Sequence, residues 1–369
     1  MERTDVVIVG GGVMGTAAAR ALSSRGRGVV LLERRTIGHS EGSSGGPTRN
    51  FRLTYHDPVY VRMARRALEG WRRLEDEAGL ELLRVAGGLD VGAATDGSAA
   101  ALEAAGERFE RPSAGEVAER WPALRFGEGS RFLYQAEGAI VRADATIATL
   151  ARSARAAGAD LREETTVEGV RTGGDEVEVA TSGGAVVRAP AVIVSAGSWA
   201  APLLGGVGID LALRPTLEQT TYFTTDDAVG AIPTVIDWDA APDQPPYLVP
   251  NAFAPGEIKA GAHLSGTPID PDARPGTDVE REARVVDWVR RRVDPAPTAT
   301  ATETCLYTVA PDEDFVIDRV GPVVVASPCS GHGFKFAPLV GEVLADLATG
   351  AMSEIPLDRF RVDRPALRR

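Results

Sequence analysis

The apolar and polar positions of the first 33 residues predict a strand, a helix and a second strand. Residues 5–9 end in an unbroken apolar run, which indicates a strand buried on both faces. Residues 15–24 form an alanine-rich segment that favours a helix. Residues 28–32 form a second apolar strand, and Glu33 follows at its tip. The chain therefore begins with a β-α-β unit whose first turn is rich in glycine.

Strands and helices continue along the rest of the chain. Apolar residues recur at helical spacing from Tyr60, and the alternating Val177 and Val179 before the turn sequence SGG predict an antiparallel hairpin. The other predicted elements are an alanine-rich helix over 143–157, buried strands over 191–195 and 323–326, and a closing helix over 337–347. Between residues 211 and 302 proline is frequent, and we expect strands to dominate.

These elements predict an α/β fold with two intertwined domains, as the length of 369 residues also favours. We expect a discontinuous Rossmann-like cofactor domain formed by residues 1–80, 138–210 and 303–369. Residues 81–137 and 211–302 would form an α+β substrate domain with a mainly antiparallel sheet.

The first glycine turn has the spacing of a dinucleotide-binding motif. Gly10 permits the tight turn, Gly12 lets the backbone approach a pyrophosphate, and Gly15 allows close packing of helix on strand. The helix N-terminus offers N–H groups to the phosphates, and Glu33 would accept hydrogen bonds from a ribose. The alternative to dinucleotide binding is a tight glycine turn that binds no ligand. The motif alone does not distinguish FAD from NAD. Its N-terminal position and the later strand before Gly197 favour FAD.

Composition and charge argue against several classes of protein. The net charge of −12 would repel nucleic acid and anionic membranes. No segment approaches the length of a membrane span, and the N-terminal apolar run is too short for a signal peptide. The two cysteines do not make a disulfide framework, and the four histidines are too scattered for a metal site. We therefore expect a cytoplasmic monomer or simple homo-oligomer without a metal.

Lysine is scarce in this chain. Of the 40 basic residues, 38 are arginines, and the two lysines are Lys259 and Lys335. A coding bias from lysine to arginine would leave lysine where a compact ammonium group is needed. Alternatively, the two lysines remain by chance, so their scarcity marks them as candidates but does not by itself show that they have a function.

Four sequence blocks together resemble one enzyme family. They are the glycine turn, GPTRNFR at 46–52, CLYTVAPDEDFVID at 305–318 and SGHGFKF at 330–336. From residue 5 to the final RPAL, the chain resembles the monomeric sarcosine oxidase and N-methyltryptophan oxidase group of FAD-dependent amine oxidases. This group belongs to the D-amino acid oxidase superfamily and includes cyclic imino acid oxidases of antibiotic pathways. The last two blocks are much more specific than the glycine turn.

The resemblance implies a covalent flavin. In that family a cysteine followed by xYT forms a thioether to the flavin 8α-methyl carbon, and Cys305 matches it. The thiolate acts as a nucleophile toward the oxidised ring. A small buried thiol is the alternative, and Cys329 fits that alternative better.

The resemblance assigns Arg52 and Lys335 to a clamp for the substrate carboxylate. Two cations would fix an α-amino acid so that its Cα–H points at flavin N5. An ordinary surface salt bridge is the alternative for Arg52. Tyr247 and Tyr307 would border the same substrate pocket.

The resemblance also places Lys259, in the sequence EIKAGAH, over the flavin as the residue that activates oxygen. A desolvated ammonium group would stabilise the superoxide anion that forms there. Arg49 matches a cation near the flavin ring, and His263 matches a histidine near the substrate. An ordinary, partly exposed histidine is the alternative for His263.

The other residues that the resemblance assigns to FAD binding surround the first glycine turn and the closing glycine loop. They are Val13, Met14, Arg34, Ser43, Thr48, Val167, Ala196, Gly197, Trp199, Gly331, His332, Gly333 and Phe334, in addition to Gly10, Gly12, Gly15, Glu33, Arg49, Cys305 and Lys335. Backbone N–H groups of residues 331–333 would stabilise negative charge at the flavin N1–C2=O edge. We expect the backbone of His332 to matter more than its ring.

One departure from the family pattern concerns the substrate. Sarcosine oxidases carry a pair of histidines just before the GxTR segment, whereas this chain has Ser44 and Gly45. Smaller residues either widen the space near the flavin or admit water to it. This difference argues against sarcosine as the substrate and leaves room for a larger or cyclic amino acid.

The expected activity is FAD-dependent oxidation of a secondary amine that bears a carboxylate, such as an N-methyl or cyclic amino acid. The resemblance implies an imine or its hydrolysis products, together with hydrogen peroxide from oxygen. A primary (glycine or D-) amino acid oxidase and a flavin-dependent amino acid dehydrogenase are the enzymatic alternatives. A flavin-binding scaffold without turnover is the non-enzymatic alternative.

Overall fold

The computed structural model describes residues 2–174, 176–225, 229, 232–273 and 275–367. Residues 1, 175, 368 and 369 of the predicted cofactor domain and 226–228, 230, 231 and 274 of the predicted substrate domain lie outside this described part. The α-helices in the described part are α1 (Val13–Ser24), α2 (Pro58–Ala78), α3 (Thr95–Ala104), α4 (Ala114–Arg120), α5 (Ala143–Ala156), α6 (Ala200–Gly205), α7 (Val279–Arg292) and α8 (Ala337–Thr349).

A mostly parallel six-stranded sheet contains the predicted β-α-β unit. Its strands are β2 (Val6–Val9), β3 (Val29–Leu32), β9 (Asp160–Arg162), β13 (Ala191–Val194), β20 (Val316–Val320) and β21 (Val323–Ser327). Their order is β20-β21-β13-β2-β3-β9, and β20 alone among them pairs antiparallel. The strands β2, β3 and β13 are buried along their whole length, as expected for central strands of an α/β sheet. The predicted strands over 5–9, 28–32, 191–195 and 323–326 are confirmed within one residue at each end.

Helices cover this sheet and confirm the predicted helical segments. Helix α1 packs against both α5 and α8. The contact with α8 is close, because a Cβ added to Gly341 would lie 2.7 Å from the Cβ of Ala17. Helix α2 begins at an Asp57 cap that accepts a hydrogen bond from the Val59 N–H and ends at Gly79, whose φ is 60°. Helix α8 continues two residues beyond the predicted 347.

A second, eight-stranded sheet is mainly antiparallel. Its strands are β6 (Gly88–Val91), β7 (Phe132–Gln135), β14 (Arg214–Thr224), β15 (Thr234–Asp237), β16 (Pro246–Pro250), β17 (Glu257–Ala262), β18 (Thr267–Pro268) and β19 (Thr298–Val309). The expectation that strands dominate residues 211–302 holds for this sheet. It does not account for α7, whose first N–H groups are capped by the Asp278 carboxylate.

Two smaller sheets complete the fold. A four-stranded sheet contains β1 (Glu2–Arg3), β10 (Val167–Gly173), β11 (Glu176–Thr181) and β12 (Val186–Ala189), and the antiparallel β11–β12 pair is the predicted hairpin. A three-stranded sheet contains β4 (Thr48–Phe51), β5 (Leu83–Val85) and β8 (Ala139–Arg142). Strand β19 crosses the predicted domain boundary at residue 303, so the division into domains stays a prediction. No helix in the described residues is long and apolar enough to cross a membrane.

Candidate active site

A cavity of about 550 Å³ extends between the first glycine turn and the closing glycine loop. This volume is in the range of small-molecule sites. All the predicted site residues contribute to its wall except Gly15 and Thr48. Gly15 packs on the turn itself, and Thr48 is buried behind the wall. The structure therefore brings the predicted residues together, while their individual roles stay predictions.

The first glycine turn leaves bare backbone at one end of the cavity. Gly10 has a φ of 102°, and a Cβ added to it would lie 2.6 Å from the carbonyl oxygen of Ser195. A Cβ added to Gly15 would lie 1.9 Å from the carbonyl oxygen of Gly10. The hydroxyl of Ser195 donates to this same carbonyl over 3.1 Å. Larger residues at these two glycines would separate α1 from the sheet, which explains both positions physically.

Glu33 lies at the tip of β3 and is only 5% exposed. Its carboxylate accepts hydrogen bonds from the N–H groups of Gly11 over 2.6 Å and Arg35 over 2.8 Å. The ring of His39, a residue that sequence reasoning did not select, lies 3.6 Å from the same carboxylate. These contacts fix the Glu33 side chain beside the glycine turn, where the motif predicts a ribose.

Arg34 and Trp199 form a bridge across the wall of the same end of the cavity. The Arg34 guanidinium lies 4.2 Å from the centre of the Trp199 ring, at a distance typical of cation–π contacts. The Asp272 carboxylate accepts hydrogen bonds from both side chains, over 2.6 Å from Arg34 and 2.9 Å from Trp199. Asp272 was not predicted, because its position beside Arg34 depends on the long-range fold.

Lys259 lies on β17 and is 8% exposed. Its ammonium group donates a hydrogen bond to the carbonyl oxygen of Thr48 on β4. Burial lowers the pKa of Lys259 to about 7, and the nearby Arg49 charge adds to this lowering. Lys259 is therefore divided between its charged and neutral forms near neutral pH.

Arg49 organises the glycine- and serine-rich loop beside β4. Its guanidinium donates hydrogen bonds to the carbonyl oxygens of Thr48 over 2.8 Å, Ser43 over 3.0 Å and Gly45. The hydroxyl of Ser44 in this loop accepts a hydrogen bond from the Val13 N–H, over 3.2 Å, at the start of α1. The loop is therefore connected to both the glycine turn and the region around Lys259.

Arg52 and Lys335 both contact Tyr55. The Arg52 guanidinium lies 4.6 Å from the centre of the Tyr55 ring and donates to the carbonyl oxygen of Thr54. The Lys335 amino group donates to the Tyr55 hydroxyl over 3.0 Å and to the carbonyl oxygen of His332 over 2.7 Å. Burial lowers the pKa of Lys335 well below its usual value, and the Arg52 charge adds to the effect.

The closing glycine loop positions Lys335 at the cavity wall. Gly331 has a φ of 76°, and a Cβ added to it would lie 2.2 Å from the Tyr307 ring. A Cβ added to Gly333 would lie 1.6 Å from the carbonyl oxygen of Pro328, so this backbone approach requires glycine. The indole N–H of Trp71 on α2 donates to the carbonyl oxygen of Lys335 over 2.8 Å. Helix α2 thereby fixes the backbone of the loop.

Three predicted aromatic residues contribute to the cavity wall, and two of them, His263 and Tyr307, lie against Gly331. The rings of His263 and Tyr307 are 5.8 Å apart, and the Tyr247 hydroxyl lies 3.4 Å from the Thr220 hydroxyl. Burial lowers the pKa of His263 to about 3, with contributions from the Arg52 and Lys335 charges, so this ring is neutral at physiological pH. Burial also raises the pKa of Tyr247 to about 12. Both side chains therefore offer hydrogen bonds without adding charge.

Cys305 and Cys329 both contribute to the cavity wall as thiols. Cys305 lies on β19, opposite Glu218 of β14 in the antiparallel register. Burial raises the pKa of the Cys329 thiol, which opposes formation of its thiolate. In the described residues no group of three or more histidine, cysteine, aspartate or glutamate side chains is arranged to hold a metal ion.

Sequence reasoning missed several residues of the wall. They are mainly on strands β14 to β16 and their connections: Asn50, Thr220, Tyr222, Ile236, Trp238, Pro245 and Val249. A signal existed for Trp238, since a lone tryptophan follows an apolar strand in TVIDWD. It did not show which side of the sheet would meet the cavity.

The wall fits a flavin dinucleotide by its chemistry. The bare backbone of the glycine turn and the first residues of α1 suit a pyrophosphate, and Glu33 suits a ribose. The side-chain oxygen of Asn50 is buried without a hydrogen-bond partner. Such an atom in a cavity wall is expected to meet a ligand or water.

The parallel sheet, its glycine turn and the cavity beside them are those of a dinucleotide-binding protein. Residues 5–347 match the model of the family described as FAD dependent oxidoreductase. The chain therefore belongs to this family of enzymes, and the expected FAD-dependent fold and enzyme class are confirmed.

Individual relatives agree over nearly the whole chain. A probable sarcosine oxidase of Arabidopsis thaliana is 33% identical, with 94% of this chain and 88% of that protein covered. A monomeric sarcosine oxidase of Arthrobacter sp. is 30% identical over 99% of this chain and 97% of the relative. The crystal structure of NikD, an unusual amino acid oxidase essential for nikkomycin biosynthesis, superposes with a TM-score of 0.89 at 28% identity and 98% coverage of both chains. The resemblance to sarcosine oxidases is confirmed.

Proposed function

We propose that the protein is a FAD-dependent oxidase of secondary amines that bear a carboxylate, such as N-methyl or cyclic amino acids. The observation that carries this proposal is the pair of basic side chains Arg52 and Lys335, which both contact Tyr55 at the cavity wall. Arg52 donates to the Thr54 carbonyl oxygen, and Lys335 donates to the Tyr55 hydroxyl and the His332 carbonyl oxygen, all of which are neutral. Two basic side chains in one cavity wall favour an anionic ligand, and the carboxylate of an amino acid supplies the matching charge.

The neighbouring wall supports a substrate larger than sarcosine. Ile236, Trp238, Pro245 and Val249 add apolar surface to the cavity. Ser44 and Gly45 take the place of two histidines in the sarcosine oxidase pattern. An apolar ring or side chain on the substrate gains free energy by contact with this surface.

Each candidate side chain has a proposed task. When bound, FAD accepts a hydride from the substrate carbon and reduces oxygen to hydrogen peroxide. Arg52 and Lys335 hold the carboxylate, while His263 and the two tyrosines Tyr247 and Tyr307 orient the amine and the side chain. The Lys259 ammonium group stabilises negative charge on oxygen in a site from which water is excluded. The product is an imine or its hydrolysis products.

The glycine turn and the residues of its end of the cavity hold the FAD, and Cys305 forms the thioether to the flavin. Precipitation in acid tests this link: the yellow colour is expected to stay with the parent protein and to leave a Cys305→Ser variant. Cys329→Ser is the matched control and should keep the colour. We propose a cytoplasmic monomer or simple homo-oligomer with a small-molecule substrate.

An anaerobic reduction experiment tests the proposed activity. Proline, pipecolate and N-methyl amino acids are mixed with the oxidised holoenzyme, and loss of the yellow colour is followed. We expect reduction by one of these classes, with pyrrolidine and piperidine at least about 100-fold weaker, because they lack the charged group that two cations bind. Equal reduction by amines without a carboxylate, or no reduction by any member of the panel, would contradict the proposal.

Variants locate the carboxylate. Arg52→Gln and Lys335→Met should each raise KM for the best substrate by about 10- to 100-fold, as expected for loss of a charge-assisted hydrogen bond. Arg155→Gln removes an exposed arginine paired with Glu163 and serves as the control. An unchanged KM in the two site variants would place the carboxylate elsewhere.

A further inference from the structure

A line of polar contacts leads from Lys335 to the protein surface. The Lys335 Nζ lies 3.0 Å from the Tyr55 Oη, and this oxygen lies 3.4 Å from the Nδ1 of His332. The Nε2 of His332 lies 3.3 Å from the carbonyl oxygen of Glu313. Glu313 is exposed in the turn between β19 and β20. His332 is itself partly exposed beside this turn, so the buried amino group at the cavity wall is connected to the surface by two side chains, Tyr55 and His332.

Both side chains in this line can pass a proton. A tyrosine hydroxyl donates one hydrogen bond while it accepts another, and a neutral imidazole has one donor nitrogen and one acceptor nitrogen. Burial, assisted by the Lys335 and His263 neighbours, lowers the pKa of His332 well below its usual value, so its ring is neutral. A proton that enters at one ring nitrogen can leave from the other.

The groups around Lys335 leave its charge without a compensating anion. Arg52 contacts the same Tyr55 ring, and His263, which interacts with both basic side chains, has a neutral imidazole. From α2, the Tyr60 ring stacks 5.3 Å from Tyr55, and its hydroxyl donates to Asp314.

The two nearby carboxylates have other neighbours. Asp314 accepts a hydrogen bond from Arg359, over 2.8 Å, as well as from Tyr60. Asp90 lies buried on β6 and interacts with Arg52, Thr54 and His56. A carboxylate that enters the cavity is therefore the group that stabilises a charged Lys335, and its departure removes that stabilisation.

We propose that Tyr55 and His332 form a proton path between Lys335 and the surface at Glu313, through which Lys335 gains a proton when a carboxylate enters the cavity and loses it when the carboxylate leaves. The carboxylate ligand rests on the proposed function. From the sequence we expected the backbone of His332 to matter more than its ring. The proposed path gives the ring a role of its own.

The proton balance of the path is closed. Before the anion enters, the neutral His332 ring carries its proton on Nδ1, and Nε2 can accept one. On entry of the anion, a water molecule or buffer acid at the surface gives a proton to the His332 Nε2, the Nδ1 gives its proton to Tyr55, and Tyr55 gives its proton to the Lys335 Nζ. The Nε2–H formed in this way can donate a hydrogen bond to the Glu313 carbonyl oxygen. The two relay groups end with the number of protons they had. The ring changes tautomer, and the outward passage after the carboxylate leaves restores the first tautomer. A full cycle therefore needs no rotation of the ring.

Proton uptake on binding is the direct test. Cyclopentanecarboxylate, which has a carboxylate but no amine, is mixed with the oxidised holoenzyme in weak buffer with a pH indicator. The flavin absorbance reports binding, and the indicator reports protons. We expect uptake of about one proton per bound anion and an apparent Kd that rises about tenfold per pH unit above neutral pH. Lys335→Arg should bind without uptake, because arginine stays charged.

Two variants interrupt the path while they leave Lys335 in place. Tyr55→Phe removes the linking hydroxyl, and His332→Gln removes the ring that changes tautomer. In both, proton uptake should lag behind the flavin signal by about 100-fold or more, as for other proton transfers that lose a positioned relay group. Tyr60→Phe is the matched control, since its hydroxyl belongs to the same aromatic cluster but lies outside the path. It should show no lag.

The outcomes separate the path from the proposed function. If cyclopentanecarboxylate binds without proton uptake, or if uptake is equally fast in the parent, Tyr55→Phe and His332→Gln proteins, the path is overturned and the carboxylate site stands. If the anion does not bind, or binds equally well to a Lys335→Met protein, the carboxylate site itself is wrong, and the path falls with it. Tyr55→Phe and His332→Gln interrupt different steps of the path. If one of these variants does not fold, the other still tests the proposal.

Discussion

At the scale of single residues, the scarcity of lysine is matched by an unusual location. Lys259 and Lys335 are 8% and 6% exposed, and both contribute to the wall of the same cavity. They come from different parts of the fold, Lys259 from the eight-stranded sheet and Lys335 from the loop before α8. A coding bias does not by itself place the remaining lysines in one cavity, so this location supports a need for a compact ammonium group in each place.

Lys259→Met is expected to separate the two halves of the reaction. Anaerobic reduction of the flavin by substrate should change little, whereas reoxidation by air should slow by about 100- to 1,000-fold, as for the loss of one charge-stabilising group. Stopped-flow absorbance measures both steps. Glu257→Gln, an exposed substitution two residues earlier on β17, is the control. Unchanged reoxidation in Lys259→Met would exclude the role in oxygen activation.

The pH dependence of the same step follows from the lowered pKa of Lys259. The ammonium form is the one that stabilises an anion, and its population falls as pH rises through about 7. Reoxidation of the parent protein should therefore slow with rising pH, while the Lys259→Met protein should lack this dependence.

The sequence predicted the motif residues of the site but not the other residues that form the cavity wall. Sequence blocks led to Arg52, Lys259, Cys305 and Lys335, because each lies in a recognisable motif. Trp238 and the other wall residues from the eight-stranded sheet were missed, because their approach to the cavity depends on pairing between strands far apart in sequence. Local patterns carry no information about such a pairing.

At the scale of elements, the central strands and the helices that cover them were predicted well. Continuous apolar runs and alanine-rich segments give strong local signals, and glycine ends several of them. Helix α7 was missed although Val285, Trp288 and Val289 have helical spacing and are buried. Frequent prolines on both sides of it favoured strands and loops as the interpretation, while the Asp278 cap was the signal that should have counted more.

The packing of α1 on α8 gives a prediction for one glycine. Gly341→Ala would place a methyl group 2.7 Å from the Cβ of Ala17 and 2.8 Å from its backbone, which overfills the contact. We expect a loss of about 1–3 kcal/mol in the free energy of unfolding, measured by denaturant titration. Gly115→Ala in α4 is the control, because its nearest neighbour is 4.0 Å away and alanine favours a helix. A Gly341→Ala protein as stable as the control would show that the helices can move apart without cost.

At the scale of the whole molecule, the number and kind of sheets could be predicted only in part. The parallel sheet was expected from the β-α-β unit. The link between the two predicted domains was not expected. Strand β19 begins before the predicted boundary at residue 303, ends after it, and pairs along its length with β14 in the eight-stranded sheet. The parallel pair of β6 and β15, more than 140 residues apart in sequence, is equally invisible to local periodicity.

Stability of the whole molecule should depend on pH through Lys259. Its pKa falls from the usual 10.5 to about 7 on folding, so between these values the unfolded chain holds more protons than the folded one. The contribution of Lys259 to the free energy of unfolding therefore rises with pH across this window. In flavin-free protein that also carries Cys305→Ser, Lys259→Met should be stabilising by several kcal/mol near pH 7, and this gain should shrink as pH approaches 10.

Denaturant unfolding at several pH values between 6.5 and 9.5 measures this difference. The comparison between the two flavin-free proteins removes the contribution of every other titrating group that they share. A stability difference that does not vary with pH would mean that Lys259 is charged to the same degree in the folded and unfolded states.

Because both lysines are buried, their chemical modification can report local opening of the structure. Reagents that acylate amines find almost no reactive side chain on the folded molecule, because Lys259 and Lys335 are its lysines and both are screened from solvent. Each opening of the surrounding structure exposes one of them to the reagent. Mass spectrometry of the acylated protein would therefore count opening events at two defined points, one in β17 and one before α8, without any engineered label.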